Sequence, residues 1–132
     1  MDVTRAAPAK PRRGFTLIEL LVVMAIVATL LALAVPRYYG SVRRAEEATL
    51  KQNLALLRDA IDKHYADTGR YPDALQDLVG KRYLRQVPLD PVTGQADSWT
   101  VVAPPPPQPG RVYDVKSGSE ATAIDGTAFN TW

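Results

Sequence analysis

The sequence predicts an α+β fold: a long N-terminal helix, half membrane-spanning and half amphipathic, packed on a small antiparallel sheet. Three observations predict it. An apolar run, interrupted by a single charged residue, extends from Phe15 to Val35. Apolar residues then recur at mostly helical spacing, through Val42, Ala45, Thr49, Leu50, Leu54, Leu57, Ile61 and Tyr65. Beyond Gly69 the pattern changes to short β-type runs separated by Pro- and Gly-rich turns.

The apolar run holds about 21 residues, which as a helix span about 30 Å, one bilayer core. Before it stand Arg5, Lys10, Arg12 and Arg13 against Asp2 alone, which favours a cytoplasmic N-terminus. Arg37, Arg43 and Arg44 follow the run and weaken that signal. Glu19 is a lone carboxylate inside the run. Such a charge costs about 2.5–3.5 kcal/mol at the centre of a spanning helix, so it is a functional candidate by default. The plainer reading is an anchor that tolerates an acid near one end. Pro36 lacks an amide hydrogen, so a helix break, either a kink or a short unwinding, is expected over residues 32–36.

The amphipathic half presents Arg44, Glu47, Lys51, Arg58, Asp59 and Asp62 on its other face, read as solvated, with Glu47 and Lys51 spaced for an ion pair. It should stop at Thr68-Gly69, Gly69 suiting a left-handed cap. From Phe15 to Ala66 this makes a helix of about 52 residues, near 80 Å. A short second helix follows, with Asp73 as N-cap, Gln76 returning the bond, and an end at Gly80. Tyr83 to Pro91 reads as an extended crossing segment, and Ser98–Ala103 and Arg111–Lys116 as two strands. The stiff run Pro104–Gly110 between them is either a hairpin connection, the favoured reading, or a proline-rich ligand for a partner. The tail from Ser117 is rich in Gly, Ser, Thr and Ala, with Trp132 as its anchor on the core.

Composition excludes several classes. The net charge is +2, and the leader supplies more than that, so nothing argues for nucleic acid. Cysteine is absent, so neither a disulfide nor a thiolate metal site can staple the C-terminal part. A core this small then needs another brace. His64 is the only histidine and reads as structural. Asp59 and Asp62, beside Arg58 and Lys63, fit a solvated helix face better than acid–base catalysis. There is no phosphate-binding loop, no cofactor is required, and no enzyme is expected.

The leader followed by Gly14-Phe15-Thr16-Leu17-Ile18-Glu19 resembles the N-terminal signal of the type IV pilin-like superfamily, which includes type IV prepilins and type II secretion pseudopilins. The resemblance implies removal of residues 1–14 by a prepilin peptidase, with cleavage between Gly14 and Phe15 and N-methylation of Phe15. It leaves an assembly helix over 15–36 and a periplasmic domain over 37–132, divided into an amphipathic helix at 37–67 and a sheet and loop at 70–132. Tyr71-Pro72, Leu75, Leu78, Tyr83-Leu84, Pro88-Leu89-Asp90-Pro91 and a Trp-bearing strand are similar to the major pseudopilins of type II secretion, and the missing cysteines point the same way.

That likeness implies a pilin-like fold and a single-pass inner-membrane subunit with a cytoplasmic N-terminus. Its copies would polymerise into a periplasmic piston-like filament that drives protein export, with Glu19 meeting the Phe15 amine of a neighbouring copy. Implied partners are those copies, minor pseudopilins, the peptidase and an inner-membrane assembly platform. The likeness also implies a calcium ion in the C-terminal loop, for which Asp114, Ser117, Ser119, Glu120 and Asp125 are the oxygen donors at hand. The loop departs from the family pattern, with Glu120 beside it and Asp125 before Gly126; a loop held by hydrogen bonds and Trp132 is the alternative. Two other functions stay open: a type IV pilin or minor pilin for adhesion, motility or DNA uptake, and a membrane-tethered binding module that uses the proline loop.

Overall fold

The computed structural model describes residues 4–9 and 11–132; Asp2 and Lys10 of the basic leader lie outside the described residues. The elements in order are α1 (Leu17–Thr68), α2 (Leu75–Gly80), β1 (Thr100–Val102), β2 (Asp114–Lys116) and a 3-10 turn at Phe129–Thr131. The chain divides into two compact units, one ending at Tyr38 and the other comprising Tyr39–Trp132.

In the first unit α1 begins at Leu17, because Thr16 takes the N-cap position: its Oγ1 accepts the Glu19 amide at 3.1 Å. The large apolar side chains that follow are exposed, among them Leu17, Ile18, Leu21, Met24, Ile26, Leu30 and Leu33. An apolar surface without cover in its own chain is stable only against lipid or other protein. This helix is long and apolar enough to cross a membrane. The unwinding expected near Pro36 does not occur, since residues 32–36 are all helical. Proline removes one hydrogen bond, the Ala32 carbonyl losing its usual donor, and the bonds on either side hold the turn.

In the second unit α1 buries Leu50, Leu54, Leu57 and Ile61, with Ala60 and His64, at the three- and four-residue spacing of one helix face. They form one core with Leu78, Leu84, Val87, Trp99, Val112, Val115 and Phe129. Ala45 and Thr49, expected on this face, are exposed, so the buried stripe starts at Leu50. Tyr65 lies at its edge, stacked on Tyr71 at 4.5 Å. His64 is buried and structural: Nδ1 meets the Arg70 carbonyl at 2.8 Å, and its ring edge packs on Tyr83.

Gly69 ends α1 with φ at 74° and donates to the Tyr65 carbonyl at 2.8 Å. The start of α2 corrects the sequence reading. Ala74 is the N-cap, and the Asp77 carboxylate accepts the Ala74 amide at 3.2 Å. Asp73 instead pairs with Arg70 at 3.3 Å.

The two strands pair antiparallel, Thr100 with Lys116, Val101 with Val115 and Val102 with Asp114, so the proline run is a hairpin connection. Both are shorter than expected. Arg111 and Val112 donate to the Pro72 carbonyl at 3.2 and 2.9 Å instead of extending the ladder. That detour brings Gly110 (φ 110°) against the Tyr71 backbone, where a Cβ would collide with the Tyr71 carbonyl oxygen. Gly110→Ala should therefore destabilise the second unit by about 2 kcal/mol or more, read as a lower midpoint in urea unfolding. Gly80→Ala, whose Cβ would meet nothing, is the matched control.

Candidate functional site

Two regions carry the residues singled out by the sequence. At the N-terminus, Gly14, Phe15, Thr16 and Glu19 are all exposed. Thr16 and Glu19 form a reciprocal capping box: besides the Glu19 amide bonding to Thr16 Oγ1, the Thr16 amide donates to Glu19 Oε2 at 3.4 Å. The Thr-x-x-Glu spacing carries this signal in the sequence, and the reading of Glu19 as an isolated membrane acid passed over it. Glu19 thus has a partner within its own chain. A Cβ on Gly14 would touch nothing, and its backbone is not left-handed. The fold therefore does not require glycine at position 14.

The second region is the C-terminal loop. Its candidate oxygen donors already hold bonds within the chain. Asp114 Oδ1 accepts Arg58 Nε and the Val115 amide, both at 2.8 Å. Ser117 donates its hydroxyl to Asp90 Oδ2 at 2.5 Å and accepts the Ser119 amide at 3.2 Å. Asp125 Oδ1 accepts the Thr127 amide and hydroxyl at 3.0 and 2.6 Å. Glu120 is exposed. Among the described residues no three His, Cys, Asp or Glu side chains form a group able to hold a metal ion. Asp114, Ser117, Glu120 and Asp125 do not converge into an oxygen cage, and the calcium shell implied by the resemblance does not fit this arrangement.

What does hold the loop is a stripe of α1 residues that sequence reasoning assigned to a solvated face. Glu47 Oε1 accepts the Ile124 amide at 2.6 Å rather than pairing with Lys51. Lys51 places its ammonium 4.8 Å from the Trp132 ring centroid. Arg58 binds Asp114, the Val115 carbonyl at 3.0 Å and the Trp132 backbone oxygen at 2.7 Å. Trp132 packs edge-on to Phe129 and donates to Thr127, so it does anchor the tail. Asp59 pairs with Lys63 at 2.8 Å on the outer face, as a solvated reading requires.

A long helix with an apolar, capped, exposed N-terminal half and a small α+β unit on its second half defines a membrane-anchored subunit of the type IV pilin-like class. The family described as the prokaryotic N-terminal methylation motif matches residues 9–35. A type II secretion system core protein G from Klebsiella pneumoniae is 33% identical over 96 residues, covering 61% of this chain and 69% of that protein. Another from Klebsiella michiganensis is 28% identical over 137 residues, covering 92% of this chain and 93% of that protein. A type IV major pilin protein PilA from Myxococcus xanthus is 36% identical over 78 residues, but only 34% of its length is covered. No solved structure matches the chain. The chain belongs to the type II secretion system core protein G family, the major pseudopilins of the superfamily.

The hydrogen bonds from Thr127 hold the Asp125 carboxyl below its ordinary value, and the nearby Lys51 charge acts in the same direction. Folding therefore favours the ionised form. The contribution is complete above the ordinary carboxylate range and disappears as pH falls through the lowered value. Protection of the backbone amides of residues 124–128, taken relative to the intrinsic exchange rate at each pH, should fall on acidification through that window, and Asp125→Asn should flatten this dependence in hydrogen-exchange mass spectrometry.

Proposed function

We propose that this chain is the structural, non-enzymatic subunit of a type II secretion pseudopilus. It is stored in the inner membrane with its N-terminus in the cytoplasm, cut between Gly14 and Phe15, methylated on Phe15, and polymerised into a periplasmic filament that drives export. The observation that carries this reading is the N-terminal site itself. An apolar helix with an exposed Thr16–Glu19 cap is preceded by a glycine that the fold does not need, and it lies within the methylation-motif match. A glycine without a conformational role is explained by recognition of the peptide around it.

Cleavage after Gly14 creates an ammonium on Phe15, about 6 Å along the helix from Glu19. In a packed array the ammonium of one copy can reach the Glu19 carboxylate of another. Desolvation cancels much of the Coulomb gain, so the pair chiefly sets register. A contact repeated head to tail without closure gives an open helical filament. Copies of the chain are thus its first partners, with the peptidase, minor pseudopilins and an assembly platform acting on the same exposed helix.

The capping box makes a sharp test available. Glutamine serves as well as glutamate at the third helical position of such a box but carries no charge. If Glu19 acts only as a cap, Glu19→Gln assembles normally. If it meets an ammonium on a neighbour, Glu19→Gln inserts and is processed but loses filament. Leaving one charge of a buried pair unmatched costs about 2 kcal/mol or more, so filament yield should fall about 30-fold or more, as read by shearing and immunoblotting. Gly14→Ala, which the fold tolerates, should leave the leader uncut by N-terminal mass analysis. Normal processing of that variant would refute the peptidase assignment.

A further inference from the structure

We propose that the C-terminal loop is closed by a metal-independent lock, in which the Arg58 guanidinium does the work a divalent cation would otherwise do. A calcium site is made of carboxylates and backbone carbonyls around one positive centre. Arg58 gathers a like set: the Asp114 carboxylate at 2.8 Å and the backbone oxygens of Val115 and Trp132 at 3.0 and 2.7 Å. It thereby ties α1 to β2 and to the end of the tail. Its charge is permanent and its donors form a fixed fork, so no ion need be captured to complete the site.

A second cation works beside it. Lys51 lines the same cleft as Arg58, Asp125, Thr127 and Trp132, with its ammonium over the Trp132 ring. The two carboxylates that would attract calcium, Asp114 and Asp125, therefore each lie near a fixed positive charge. Ser117, a further candidate donor, is fully buried and gives its hydroxyl to Asp90. An entering divalent ion would have to displace the guanidinium and approach two like charges at once.

The test is thermal unfolding of the full chain in detergent, in millimolar calcium and in chelator, with limited proteolysis of the C-terminal loop alongside. The wild type should show the same midpoint and cleavage rate in both. A midpoint about 10 °C or more higher in calcium, the effect of an ion bound at about 100 times its Kd, would overturn the proposal. Arg58→Gln should lower the midpoint by about 5 °C or more and speed loop cleavage. Adding Asp114→Asn to it should recover part of the loss by removing the stranded charge. Wild-type behaviour of Arg58→Gln would also overturn the proposal. If that variant does not fold, the calcium and chelator comparison on the wild type still decides.

Discussion

The second unit depends on one buried carboxylate. Asp90 has no exposed surface, yet both its oxygens are occupied: Oδ1 accepts the amides of Val92 and Thr93, and Oδ2 takes the Ser117 hydroxyl. Its own amide and carbonyl bond Gln95 and Gly94. A charge taken out of water is tolerated only when donors surround it, and the folded backbone of residues 90–95 supplies them. Through Ser117 the same side chain joins this turn to the segment leaving β2. Trp99 adds a second tie, from its indole nitrogen to the Pro88 carbonyl at 2.8 Å. In a small core without cysteine, these bonds cross-link parts of the chain far apart in sequence.

Local signals survived translation into structure. Gly69 stops α1, Gly80 closes α2, and the proline run joins two antiparallel strands, because each depends on residues within a few positions. Where a local rule failed, another local partner won: Asp73 was taken by Arg70, Ala74 became the N-cap, and Asp77 rather than Gln76 returned the bond. Non-local choices were not legible. Glu47 and Arg58 look like solvated charges on a helical wheel, since the amide and carbonyls they bind lie 77 and 57 to 74 residues further on. The calcium donors suffered from the same blindness. Their residue types fit an oxygen site, but the Arg58 that holds Asp114 and the Asp90 that holds Ser117 cannot be seen from spacing.

The two units solve burial in different ways. In the second unit one face of α1 is buried from Leu50 onward by the chain's own sheet, short helix and tail. Among the described residues of the first unit the large apolar side chains are exposed, and its polar devices include the Thr16–Glu19 box and the Thr29 hydroxyl donated to the Ala25 carbonyl. A self-contained core constrains volume and pattern, which many sequences satisfy.

Arg58, Asp90 and Ser117 latch the loop through an ion pair and hydrogen bonds made entirely within the chain. The joined residues lie 27 to 74 positions apart, so the latch exists only once distant stretches of the polypeptide have met.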